Sequence, residues 1–149
     1  MEEIDFGQLL QRVQQDYRNL RFITGKKFAF RPPRTIVIAD FTQMPEFREP
    51  GVQKICSLRL LHELGHATLG HRNFATDIER LRMERAAWDK AREFCKDYGV
   101  AYDEDFVEAE LDTYRDWLHQ RSKCRECGQT RYQGADGKYH CPFCDSLQG

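Results

Sequence analysis

The stretch Leu60-Leu61-His62-Glu63-Leu64-Gly65-His66-Ala67-Thr68-Leu69-Gly70-His71 decides how the rest of the chain is read. It lies within residues 52–70, where Ile55, Leu58, Leu60, Leu61, Leu64, Ala67 and Leu69 surround the axis and predict a helix buried on most sides. At 3.6 residues per turn, His62 and His66 share one face. Both imidazoles can then point at one zinc ion. Glu63 stands beside them, able to hold an attacking water and take its proton as general base. Short patterns of this kind arise by chance. The context favours a metal, because His and Glu on a buried helix are costly to leave without partners.

A catalytic zinc needs a third protein ligand. If the helix continued past Gly70, His71 would sit about 140° around from His66 and point away. Gly70 can end the helix and redirect it. The other candidate is Glu84. Ile78, Leu81, Trp88, Ala91 and Cys95 form an apolar stripe on a further helix, and Glu84 falls inside that stripe. A carboxylate facing a core needs a partner, which a metal supplies. A buried salt bridge, for example to Arg59, would supply one too. Glu84 is the preferred ligand and His71 the alternative, with a supporting or substrate-contacting role also open to His71.

Outward from this helix, residues 6–20 carry Phe6, Leu9, Leu10, Val13, Tyr17 and Leu20 at helical spacing, capped by Asp5. Residues 21–40 hold short β-branched or aromatic runs separated by Gly25-Lys26 and Pro32-Pro33, predicting two or three strands. An edge strand at 35–40 is expected to pair with an extended peptide. Residues 41–51 read as a loop. Thr76-Asp77-Ile78-Glu79 is a capping-box sequence that opens a third helix, which Gly99 ends. Asp103 caps a fourth, with Val107, Leu111, Tyr114 and Leu118 as its stripe. Tyr114 is a candidate oxyanion stabiliser. Cys56 and Cys95 read as buried thiols, and His119 and His140 as surface histidines.

After Gln120 the composition shifts. Cys124-Arg125-Glu126-Cys127 and Cys141-Pro142-Phe143-Cys144 are two knuckles thirteen residues apart, a zinc-ribbon spacing. Thr130-Arg131-Tyr132-Gln133 and Lys138-Tyr139-His140 are expected to form a hairpin across Gly134-Ala135-Asp136-Gly137. Four thiolates close the coordination shell, so this zinc is structural. Iron would use the same ligands. Arg121, Lys123, Arg125, Arg131 and Lys138 against Glu126, Asp136 and Asp145 leave the segment at +2. That balance, with Tyr132, Tyr139 and Phe143, leaves nucleic-acid contact open beside a role in docking or substrate recruitment.

The whole chain of 149 residues has net charge −1 and 12% aromatic content. It is globular, and its overall charge gives no reason to expect a nucleic-acid or membrane partner. No apolar run approaches a membrane span, and the acidic start Met1-Glu2-Glu3-Ile4-Asp5 lacks a secretory layout. A cytoplasmic location is expected, where cysteines bind metal or stay reduced.

The 60–71 stretch resembles the active-site helix of the ImmA/IrrE family of metallopeptidases, of the gluzincin type, over roughly residues 30–98. Glu84-Arg85-Ala86-Ala87-Trp88 is loosely similar to that family's glutamate-bearing second element, without its usual Glu-Ala-Asn/Asp run. The resemblance implies a regulatory protease that cleaves a repressor or similar protein. A peptidase followed by a zinc ribbon also resembles the SprT-like proteases, which act on DNA-attached proteins and take a more distant third histidine. The expectation is an α+β, zincin-like domain over residues 1–120 and a four-cysteine ribbon over 121–149. It would be a zinc metallopeptidase with two zinc ions, one held by His62, His66 and Glu84 and one by Cys124, Cys127, Cys141 and Cys144. Glu63 would be its base and a protein or peptide its substrate. A non-catalytic, zinc-stabilised protein- or DNA-binding module is the competing class.

Overall fold

Asp5 opens the first helix with a reciprocal capping box: its carboxylate accepts from Gln8 N–H at 2.8 Å, and the Gln8 side chain accepts from Asp5 N–H. The structure is a computed structural model and describes residues 4–144. Its elements are α1 (Phe6–Asp16), β1 (Arg21–Gly25), β2 (Ala29–Arg31), β3 (Thr35–Ala39), two 3-10 turns (Asp40–Gln43 and Pro45–Arg48), α2 (Pro50–Thr68), α3 (Asp77–Tyr98), α4 (Glu104–Ser122), β4 (Tyr132–Gln133) and β5 (Tyr139–His140). The fold is therefore α+β, with four helices and a few short strands among the described residues. α1 stops four residues short of the expected end, where Leu20 N–H turns back onto the Tyr17 carbonyl.

The described residues divide into two compact units, 4–72 with 86–103, and 73–85 with 104–144. That division differs from the boundary expected at 120/121. The reason lies in the second unit, where the cysteine-bearing segment is bonded to the start of α3 and the end of α4.

In the first unit a three-stranded sheet has the order β1-β3-β2, with β1 parallel and β2 antiparallel to β3. Ile36 faces both Phe22 and Phe30 in register. β3 is thus central, which corrects the expectation of an edge at 35–40; the edge strands are β1 and β2. The uninterrupted apolar run Ile36-Val37-Ile38-Ala39 suits a strand buried on both faces. The core joins Phe6, Leu9 and Val13 of α1 to β3, to Leu58, Leu60, Leu61 and Leu64 of α2, and to Trp88, Ala91, Phe94 and Cys95 of α3. Within α2, every residue from Cys56 to His66 except Arg59 is buried, while Ile55, just before that stretch, and Leu69, just past the helix, are exposed.

The second unit is organised by a buried carboxylate. Asp77 Oδ2 accepts from Arg121 Nε at 2.6 Å and from the Tyr139 hydroxyl at 2.6 Å, while Asp77 N–H donates to Gln133 Oε1 at 2.6 Å. One residue thereby ties α3, α4 and the β4–β5 hairpin together. Asp77 is 4% exposed and its neighbour Ile78 is 47% exposed. This inverts the expected stripe at its start, because the first turn of α3 directs its acid inward. Arg80 lies over the rings of Phe74, Tyr114 and Trp117 at 4.9–5.4 Å. Tyr114, the candidate oxyanion stabiliser, packs under Arg80. No helix among the described residues is long and apolar enough to cross a membrane.

Candidate metal centres

Two groups of side chains converge on a common point within the described residues: His62, Glu63 and His66, and the four cysteines. In each group the donor atoms lie within 4.8 Å of one another.

The first centre is built by α2. Its two histidine rings stand 4.6 Å apart at 72°, as the four-residue spacing requires. His62 Nδ1 lies 3.3 Å from Glu63 Oε1. The Trp88 indole stacks on His62 at 4.3 Å and 18°, so α3 holds that ring flat. Phe30, on edge strand β2, lies parallel to His66 with ring centres 6.5 Å apart. The close approach of α3 to α2 depends on Gly65, since a Cβ there would fall 2.5 Å from the Ala87 carbonyl oxygen. That glycine stands at the second variable place of the His-Glu-x-x-His motif, and its need is visible only across the helix pair.

The end of α2 explains His71. Gly70 has φ +67°, its N–H bonds the Ala67 carbonyl, and His71 N–H bonds the His66 carbonyl at 3.0 Å. This is a Schellman motif, which folds the residue after the left-handed one back over the last turn. His71 therefore does not continue around the helix. Its Nδ1 meets His66 Nδ1 at 2.8 Å, one nitrogen donating and the other accepting. The structure makes His71 a partner of His66. Glu84 is half-buried on α3 in the stretch that belongs to the second unit, and neither it nor His71 is among the three converging residues.

The second centre is built by turns. Cys127 and Cys141 sulfurs are 3.6 Å apart, and those of Cys124 and Cys144 are 3.9 Å apart. A tetrahedron with metal–sulfur bonds of about 2.3 Å has edges of about 3.8 Å. The spacing fits a tetrathiolate metal and is far too long for a disulfide; all four cysteines are free thiols, as are buried Cys56 and Cys95. The first knuckle is closed by Gly128 N–H on the Cys124 carbonyl and Cys124 N–H on the Gln129 carbonyl. Backbone N–H groups of Cys127 and Glu126 lower the Cys124 thiol to about 7, making it an early thiolate. The expected hairpin forms, with Tyr132 opposite His140 and Gln133 opposite Tyr139. Burial pushes the Cys56 thiol up to about 11 and the Cys95 thiol to about 12, which keeps both unreactive.

The residue that sequence reasoning undervalued is Asp77. It lies inside the capping sequence, whose cap is Thr76 as expected, accepting from Glu79 N–H at 3.3 Å. No short-range pattern marks a carboxylate whose partners lie 44 and 62 residues away. No family model, no curated protein and no solved structure matches the chain.

Proposed function

We propose that the chain is a zinc-dependent peptidase with a zincin-like first unit, His62 and His66 as metal ligands and Glu63 as general base. The observation that carries this reading is the convergence of those three donors, nearly buried, on one helix. Nδ1 of His62 faces Glu63 and Nδ1 of His66 faces His71, so Nε2 is the nitrogen through which either ring would ligate. Zinc held there would polarise the scissile carbonyl and acidify water. Glu63 takes the proton of the attacking water and passes it to the leaving amine. Trp88 fixes the plane of His62, and His71 fixes the tautomer of His66. Glu84 is retained as third ligand on the sequence argument, with His71 as a positioning residue. The four cysteines hold a second, structural zinc. The substrate is a protein or peptide, cut in the cytoplasm.

The test is hydrolysis of an unfolded protein such as casein by the zinc-loaded chain and by Glu63→Gln. The variant should keep its zinc and lose activity by about 10²–10⁴-fold. Equal cleavage by both proteins, or none by either at two zinc ions per chain, would overturn the reading.

A further inference from the structure

A cavity of about 660 Å³ opens in the second unit where the end of α4 meets the first knuckle. Arg121, Lys123, Arg125 and Arg131 line it, with Cys124 and Tyr139. Two of its three arginines, Arg121 and Arg131, are held in place before any ligand arrives. Arg121 gives Nε to Asp77, and Arg131 gives Nη2 to the Arg121 carbonyl at 2.6 Å. Both guanidinium groups lie over the same Tyr139 ring, at 6.0 and 4.9 Å. Arg131 Nε is buried and has no hydrogen-bond partner among the described residues. A charged donor in that state points to an acceptor from outside the chain. Lys123 and Arg125 are exposed and make no ion pair among the described residues. Four cations outweigh Asp77 together with the formal −2 of a zinc tetrathiolate, so the cavity stays positive with the metal in place.

We infer that this cavity binds the phosphate groups of a nucleic-acid strand. Two forked guanidinium groups, fixed on one tyrosine, suit the tetrahedral oxygens of a phosphate ester, and they bind at little entropic cost. The volume is that of a nucleotide-sized ligand rather than a single ion. The exposed Lys123 and Arg125 extend the positive surface beyond the cavity, as a continuous backbone would require. This inference is independent of the peptidase reading.

The experiment uses the full chain as purified, with its metal content measured. A fluorescent single-stranded oligonucleotide is titrated over a salt series, and ATP and polyglutamate are used as competitors. The Lys123→Gln/Arg125→Gln double variant should weaken binding by roughly tenfold and lower the log–log salt slope by about two, one per lost phosphate contact. Arg131→Lys, which keeps charge and loses the fork, should also weaken it. Lys26→Gln/Lys27→Gln, with the same charge removed in the first unit, should leave it unchanged. Displacement by the unlabelled strand but only weakly by ATP supports a strand. Displacement by ATP at equal phosphate concentration keeps the site and assigns it to free nucleotides. Three results would overturn the proposal: no binding at low salt, equal weakening in both double variants, or displacement by polyglutamate as effective as by the strand.

Discussion

The two centres reach similar convergence by opposite means. His62, Glu63 and His66 sit on a helix whose neighbours are the core of the first unit, so their arrangement is held by Leu61, Leu64 and Trp88. The four cysteines sit on turns in a segment where Cys124 and Cys141 are themselves the buried hydrophobics beyond α4 among the described residues. A helix positions its donors through backbone hydrogen bonds and packing, whether or not an ion is present. Knuckles of this kind depend on the ion to replace a core they do not have. The first centre is suited to exchange of ligands at the metal and the second to permanence.

Chelation should break this comparison most visibly. Zinc in such tetrathiolate sites stabilises small domains by about 10–16 kcal/mol, so its removal should unfold the β4–β5 hairpin and leave α2 helical. Tyr139 gives the readout. Burial first, and its bond to Asp77 second, raise its pKa to about 12. Ultraviolet titration after chelation should show that phenol returning to about 10. An unchanged titration would mean that the hairpin stands without metal.

The first centre should instead respond to packing. Trp88→Ala removes a buried indole and the support of His62, and should cost about 3–5 kcal/mol in urea unfolding. It should also weaken metal retention at the first centre. Stability lost without any change in metal retention would separate the indole from the centre.

A smaller effect is expected at Gly65. Ala there gains helix propensity but drives Cβ onto the Ala87 carbonyl, for a net loss of about 1–3 kcal/mol. Gly51→Ala, in the same helix with open space around it, should be neutral or slightly stabilising. Equal melting temperatures for the two variants would contradict the close contact.

The smallest effect concerns Asp77. Burial raises its pKa, but hydrogen bonds from Arg121 and Tyr139, with the Arg121 charge, outweigh burial and hold it below the ordinary carboxylate value. A depressed folded pKa stabilises above the unfolded value and loses that contribution as pH falls through the folded one. The second unit should therefore loosen below about pH 4. Asp77→Asn should flatten that acid limb in circular dichroism; an unaltered limb would assign it to other groups.

Much of this was legible from local order. The helical spacing of His62 and His66 requires a shared face, the paired Cys-x-x-Cys spacings require a closed cluster, and Asp5, Gly70 and Gly99 mark helix ends by their chemistry. These features depend on residues a few positions apart, where backbone geometry alone decides who meets whom. The rest was settled by distant neighbours. β3 became central because the two strands that precede it in the sequence paired with its opposite edges, and Gly65 became necessary because Ala87 lies against it. His71 turned toward His66 through one left-handed glycine. Asp77 went inward to meet Arg121, Gln133 and Tyr139, and so joined the cysteine segment to two helices. Sequence by itself determined which residues could share a turn of helix or a knuckle. Only the tertiary structure decided which side chains lost their water, because burial is set by whatever packs across from a residue and not by the residues beside it.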